Sequence, residues 1–155
     1  MRANDFISIS NRTFDKTQAV VYDLNNTPYT IQISNKFPRT EIIKILTEIC
    51  ERAEYCKKAN INFDYNISLN ILLIKHFTDI QFQNYTSIAK AFDNEIKIAR
   101  CLVDLEIIEQ IMQKFPANEM ERLTQIAGEF ADFTKYAMNV QIDQILKDLQ
   151  ESDVN

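Results

Sequence analysis

Alternating apolar and polar residues near the start of the chain predict a β-hairpin. In YTIQIS (residues 29–34) the alternation has the period of a strand with one apolar face. AVVYDL (19–24) is rich in β-branched and aromatic residues, which favour strands, and NNTP (25–28) between them is typical of a turn. FISIS (6–10) is a candidate third strand at the edge, so we expect a hairpin or a three-stranded meander.

Apolar residues then recur at three- and four-residue steps, which predicts a bundle of about four helices. The first is amphipathic. The second is apolar on nearly all sides and therefore buried, with Asp64 or Asn66 as its N-cap. The predicted bounds are about Arg39 to Ala59, Ile67 to Phe77, Thr86 to Lys114, and Asn118 to Leu149.

The third predicted helix carries two apolar stripes, which indicates contact with two neighbouring elements and a central position in the bundle. One stripe consists of Ile88, Phe92, Ile96, Ala99 and Val103. The other consists of Ile98, Leu102, Leu105, Ile108 and Met112. Pro116 ends this helix and opens the next one.

The last helix has the most regular pattern, a coiled-coil-like seam with alternating steps of three and four residues. The seam consists of Leu123, Ile126, Phe130, Phe133, Ala137 and Val140, and we expect it to pack within the domain. Beyond it, Ile142, Ile145 and Leu149 continue an apolar face on a shifted line. This face is the candidate partner-binding surface, with packing inside the domain as the alternative.

Length and composition favour one mostly α domain. The chain has 155 residues, enough for one core, and we divide it into a hairpin segment (1–35), a helical bundle (36–150) and a frayed tail (151–155). It has 1 glycine and 3 prolines, which excludes glycine-rich phosphate-binding loops. No leader peptide or membrane segment is visible, so we expect a cytoplasmic protein.

A net charge of −5 argues against direct binding to nucleic acid or to an anionic membrane. The three cysteines, Cys50, Cys56 and Cys101, have no metal-ligand spacing and are expected to be free, buried thiols. Cys50 and Cys56 lie about 9 Å apart on a helix, too far for a disulfide.

Candidate catalytic groups are few. The single histidine, His76, lies in the most apolar segment and is interpreted as structural. The carboxylates at Asp104, Glu106, Glu109, Glu119, Glu121, Glu129 and Asp132 include no Glu-x-x-His pair of a di-metal site and are interpreted as solvated. The sequence therefore predicts a non-enzymatic protein with no catalytic residues, no metal and no cofactor.

The layout resembles the small tail assembly chaperones of long-tailed bacteriophages. The likeness rests on the hairpin AVVYDLNNTPYTIQIS, the helix from Arg39, the segment KHFTDIQF and the helix–proline–helix EIIEQIMQKFPANEMERL. The resemblance implies a chaperone in the host cytoplasm that binds a helical client, a tape measure or tail tube protein. It assigns no function to any numbered residue.

Two other functions remain open at the level of sequence. One is a structural subunit of the virion, such as a head–tail connector or tail protein, which would form a fixed homo-oligomer. The other is an acidic inhibitor of a host enzyme that binds nucleic acid, which would bind its target in a salt-sensitive way.

Overall fold

The computed structural model describes the backbone of residues 1–153 and the side chains of residues 1–10, 13–132 and 146–151. The described chain contains one two-stranded sheet and six helices. In chain order they are α1 (Ala3–Thr13), β1 (Lys16–Tyr22), β2 (Pro28–Ser34), α2 (Arg39–Lys58), α3 (Tyr65–Phe77), α4 (Ile88–Asp104), α5 (Ile108–Lys114) and α6 (Ala117–Asp153).

The predicted hairpin is confirmed. β1 and β2 pair antiparallel, with Ala19 opposite Ile31 and Val21 opposite Tyr29. In the turn, Asn26 has φ of 62°, a left-handed conformation that asparagine tolerates better than most residues. One face of the hairpin packs on the core through Val21, Ile31 and Ile33.

The third strand predicted for FISIS is wrong, because these residues form part of α1. In a segment of five residues, mixed apolar and polar positions fit both the period of a strand and the period of a helix. The segment is too short for its length to decide between the two. A local contact favours the helix: the Asp5 carboxylate accepts a hydrogen bond of 2.7 Å from the backbone N–H of Arg2. On the outer edge of β2, where a third strand would pair, the carboxylate of Asp79 accepts a hydrogen bond of 2.8 Å from the backbone N–H of Gln32.

The bounds predicted for α2 and α3 agree with the structure to within one or two residues. The carboxylate of Asp64 caps α3 by accepting a hydrogen bond of 3.1 Å from the N–H of Ile67. α2 ends in a Schellman motif: Asn60 has φ of 56°, and the N–H of Ile61 reaches back to the carbonyl of Cys56 at 2.8 Å.

The single central helix predicted from Thr86 to Lys114 is wrong, because it is divided into α4 and α5. Glu106 adopts φ of 59°, and the N–H of Ile107 bonds the carbonyl of Leu102 at 2.8 Å, which closes a second Schellman motif. Glutamate is not a residue that favours this conformation, so the pattern gave no sign of the break. This division, together with α1, accounts for six helices where about four were expected.

Aromatic rings from the β2–α2 connection, from α3 and from the residue after α5 meet at the centre of the core. The rings of Phe37 and Phe77 stack with centroids 4.0 Å apart, and Phe115 meets Phe37 edge-on at 5.6 Å. The largest fully buried aliphatic side chains come from α2, α3 and α5: Ile42, Ile45, Ile71, Leu72, Leu73, Ile74 and Ile111. From Ser68 to Phe77, α3 is therefore buried or partly buried, as its apolar pattern predicts, but its first turn with Ile67 is exposed.

The first part of the α6 seam packs inside the domain as expected: Leu123 and Ile126 are buried, and Phe130 packs against the core. Phe133, Ala137 and Val140 lie outside the residues whose side chains are described. α6 continues through Asp153, beyond the predicted end at Leu149, and residues 154–155 of the predicted tail are not described. Across the described residues, none of the helices combines the length and the apolar character that a membrane crossing requires.

Candidate functional site

A groove of about 510 Å³ runs along the outer face of α4. One wall is α4 itself, and the other is formed by the end of α2, the connection to α3 and the start of α3. The lining residues of α4 recur at three- and four-residue steps along nearly its whole length: Ala89, Phe92, Asp93, Ile96, Lys97, Ala99, Arg100, Val103 and Asp104. The groove therefore follows one face of a helix from end to end.

The groove is apolar along its middle and charged at its edges. Tyr55 and Phe92 meet edge-on across it, with ring centroids 5.8 Å apart. Large apolar side chains of the lining remain exposed to solvent, among them Ile61, Ile67 and Val103. At the rim, Lys97 pairs with Asp93 at 3.0 Å. An apolar strip between charged edges matches the anatomy of a protein-binding surface.

From the sequence, the face of α4 that borders the groove was expected to lie in the core. The stripe of Ile88, Phe92, Ile96, Ala99 and Val103 was expected to be covered, but only Ala99 is buried. Val103 is 51% exposed and Ile88 is 41% exposed. The second stripe contributes Ile98, Leu102, Ile108 and Met112 to the core or its edge. The two stripes in the sequence indicated two apolar faces on this helix. The pattern did not indicate which of the two faces would remain exposed.

Behind the groove, a cluster of charged residues joins α2, α3 and α4. The guanidinium of Arg52 binds both carboxylate oxygens of Glu95, with Nε and Nη2 each 3.0 Å from their partner oxygens. Lys75 lies 3.8 Å from Glu95 and from Glu48. A polar cavity of about 240 Å³ opens beside this cluster, closed on its other side by residues 82–87.

His76 is part of the same cluster. Its Nδ1 lies 3.0 Å from a carboxylate oxygen of Glu41, and its Nε2 lies 2.9 Å from one of Glu48. An imidazolium donates both hydrogen bonds at once, whereas a neutral ring donates only one. His76 thus joins α3 to two points on α2 that are seven residues, or about two turns, apart, a geometry that gives it a role in holding the helices together.

The charges in this cluster shift one another's pKa values. Burial is the largest single influence on His76 and lowers its pKa, but hydrogen bonds to Glu48 and Glu41 outweigh it, so the pKa lies above the usual 6.5. Burial likewise acts to raise the pKa of Glu48, but His76, Lys75 and Arg52 together hold it below the usual value. Glu48 and His76 therefore each favour the charged form of the other.

The carboxylates expected to be solvated divide into two kinds. Glu119 is buried, which corrects the prediction: its carboxylate accepts a hydrogen bond of 3.2 Å from the N–H of Phe37 and pairs with Lys36 and Arg122. Glu129 is exposed and pairs with Arg39 at 3.0 Å. Among the described residues, no three metal-ligating side chains come together in a group that could hold an ion.

The cysteines also differ from expectation. Cys56 is buried and free, as predicted, and burial raises the pKa of its thiol. Cys50 and Cys101 are free but exposed, so the prediction that they are buried is wrong. Each lies on the outer side of its helix. The prediction failed because cysteine is usually among the most buried residue types, and the sequence did not mark these two positions as exposed.

The partner-binding face proposed at Ile142, Ile145 and Leu149 lies mostly outside the description. The side chains of Ile142 and Ile145 are not among those described, and Leu149 is exposed. The role of this face in partner binding therefore stays a prediction. The groove along α4, in contrast, is lined by residues whose side chains the structure describes.

Comparisons with known proteins identify the family of the chain. No curated protein and no solved structure matches it. The model of the family called YomO matches residues 7–154, nearly the whole length. YomO is a family name from a Bacillus phage region, and this indicates a phage-associated protein. A match of this extent leaves one conclusion: the chain belongs to the YomO family.

Proposed function

We propose that this chain is a non-enzymatic protein–protein interaction module of the host cytoplasm that acts as a phage tail assembly chaperone for a helical client, a tape measure or tail tube protein. The observation that carries the proposal is the exposed apolar groove along α4. The family membership supports the phage setting, and the resemblance in layout supports the role in tail assembly.

The shape of the groove favours a helix as its occupant. Its lining on α4 spans Ala89 to Asp104, which corresponds to about 22 Å of helix axis, or four turns. An amphipathic client helix with apolar residues at i, i+3, i+4 and i+7 would place its side chains between Val103, Phe92 and Ile67. The charged rim would then meet the polar flanks of that helix, which sets its register more than its affinity.

The charged cluster has the chemistry of a structural network. Arg52 and Glu95 are each bound by the other, and both ring nitrogens of His76 face carboxylates. A general base needs an accessible lone pair near a substrate, whereas these groups are held by ion pairs between helices. We therefore assign the cluster to stability, and the groove to function.

Capture from phage-infected cells tests the proposal. The tagged chain is compared with two groove variants of opposite charge, Ile67→Asp and Val103→Lys, and with Leu24→Lys as a control. Leu24 is an exposed apolar residue of the hairpin turn that does not line the groove. We expect the unaltered chain and the control to retain the tape measure or tail tube protein, and both groove variants to lose it.

Purified phage particles supply the second arm of the test. A chaperone acts during assembly and leaves, so the chain should be absent from mature particles. If the chain is found there in a fixed ratio to the tail subunits, it is a structural component and the chaperone proposal is wrong. Equal capture of the tail protein by both groove variants would also contradict the proposal, because the groove would then not be the binding surface.

A further inference from the structure

The helix α1 carries an apolar face that is exposed in the described structure. Every described residue of α1 except Asp5 is exposed, and Phe6 and Ile7 are 60% and 61% exposed. At 100° per residue, Phe6, Ile7 and Ile9 fall on one side of the helix, whereas Asn4, Asp5 and Ser8 fall on the other. Phe14, just after the helix, extends the apolar side.

A helix of this length needs such a face to be buried. Isolated helices shorter than ~12–15 residues are marginal in water, and most helices in proteins are stabilised by packing an amphipathic face. α1 has 11 residues, and the described members of the hydrophobic core include none of them. Because the described residues leave the apolar face of α1 exposed, a contact with another molecule would stabilise this helix.

In its own chain α1 does not line the groove, and its end next to β1 is held away from the groove. Only Phe14 and Asp15 separate α1 from β1, and two residues span at most about 7 Å. β1 begins at Lys16 opposite Ser34, close to the start of α2. Tyr55 in the groove lies 16 residues along α2 from Arg39, about 24 Å further on.

We infer that α1 of one copy docks in the groove along α4 of a second copy. The α1 helix is about 16 Å long, shorter than the four-turn groove, and it presents large apolar side chains to an apolar strip. A reciprocal exchange, with each copy donating its α1, forms a closed dimer with two identical contacts.

The surface area that the exchange of α1 helices would bury is large enough for a stable dimer. α1 and Phe14 just after it together offer two phenylalanines and two isoleucines that are 37% to 61% exposed, and a fully buried aromatic side chain covers roughly 150–250 Å². Two exchanged helices, counted with the groove surface that they cover, bury an area on the order of 1,600 Å², the size of standard stable interfaces. The same groove would serve the client, so client binding and self-association exclude each other.

Sedimentation over a wide range of concentration tests this inference with the full chain. The α1 variant is Phe6→Gln combined with Ile7→Gln, which keeps good helix formers on an exposed helix. The groove variant is Val103→Lys, with Ile67→Asp as a second change on the opposite wall, and Leu24→Lys is the control. We expect the unaltered chain and the control to dimerise, and the α1 and groove variants to need at least ~10-fold higher concentration.

A mixture of the α1 variant and the groove variant gives the sharpest result. Each is impaired alone, but the first keeps an intact groove and the second keeps an intact α1. The mixture should therefore form a heterodimer through one contact, at concentrations where neither variant alone dimerises. Far-UV circular dichroism and a single cooperative melting transition, recorded at a concentration at which every protein is monomeric, show that each variant is folded.

Several outcomes overturn the inference. They are a monomeric unaltered chain at every concentration, groove variants that dimerise normally while the α1 variant does not, and a mixture that stays monomeric. Binding of α1 to anionic lipid vesicles without self-association would overturn it as well. The α1 variant keeps the groove and should still capture the client, so failure of this inference leaves the proposed function standing.

Discussion

Arg52 and Glu95 form a bidentate ion pair in which both side chains are almost fully buried, at 6% and 5% exposure. The pair joins α2 to α4, 43 residues apart in sequence. One turn away on each helix, Tyr55 and Phe92 meet across the groove. The ion pair therefore fixes the spacing of the two helices whose surfaces form the groove.

Removing one partner of this pair should cost much more than removing both. Arg52→Met leaves the Glu95 carboxylate buried, and we expect the free energy of unfolding to fall by about 3–5 kcal/mol. Combining Arg52→Met with Glu95→Leu replaces the pair by apolar side chains and should recover most of that loss. Urea denaturation measures all of these values.

A matched control is the exposed pair between Lys97 and Asp93. Lys97→Met should change the free energy of unfolding by less than about 1 kcal/mol, because water already screens this pair. A double variant at Arg52 and Glu95 that is as unstable as Arg52→Met alone would contradict the buried-pair account.

The contacts of His76 should make stability depend on pH. Because its pKa in the folded chain is raised above 6.5, its contribution is fully present below pH 6.5 and is lost as pH rises through the folded value. Glu41 and Glu48 have lowered pKa values, so their contribution is present above about 4.5 and is lost only in acid. Stability should therefore be greatest in the window between these values.

His76→Gln should remove the alkaline slope. The variant should lose about 1–3 kcal/mol below pH 6.5, the worth of hydrogen bonds to charged groups, and less on the alkaline side. Thermal or urea unfolding at a series of pH values gives the two curves. Parallel curves for the variant and the unaltered chain would show that His76 does not carry the dependence.

Glu106→Gly should stabilise the protein. Glu106 is exposed and holds φ of 59°, which strains any residue with a Cβ but not glycine. We expect a gain of about 0.5–1 kcal/mol in unfolding free energy, after allowing for the extra freedom of glycine in the unfolded chain.

The control for this change is Glu109→Gly, three residues later in the first turn of α5. There the backbone is helical, so glycine should destabilise by about 0.5–1 kcal/mol. Asn60→Gly at the end of α2 should gain less than Glu106→Gly, because asparagine already tolerates a left-handed backbone. Equal losses at 106 and 109 would contradict the assigned conformation.

The three thiols should react at two distinct rates. Cys50 and Cys101 are exposed, whereas Cys56 is buried and its pKa is raised. In the native protein an alkylating reagent should modify Cys50 and Cys101 promptly, and Cys56 only after addition of denaturant. Peptide mass spectrometry assigns each site, and prompt native labelling of Cys56 would place it at the surface.

Periodicity and caps were sufficient to predict most of the fold. α2, α3 and the hairpin have long, regular patterns, and Asp64 and the turn residues marked where they begin or end. α1 could not be distinguished from a strand because its apolar segment is short. The break at Glu106 depends on a Schellman motif without glycine or asparagine, which leaves no signal in the chain.

The candidate site was harder to predict because it depends on which surfaces remain uncovered. The stripe that includes Val103 looks in sequence like any core-facing stripe, and only the positions of the other helices show that it borders an open groove. In the same way, Arg52 and Glu95 look like solvated helix residues until the packing of α2 on α4 brings them together.

Calorimetric titration of the purified chain with the tape measure or tail tube protein of its phage tests the central claim most directly. The account predicts saturable binding by the unaltered chain and by Leu24→Lys, and binding at least ~10-fold weaker by Val103→Lys. The absence of binding by the unaltered chain, or equal affinity for all three proteins, would contradict it.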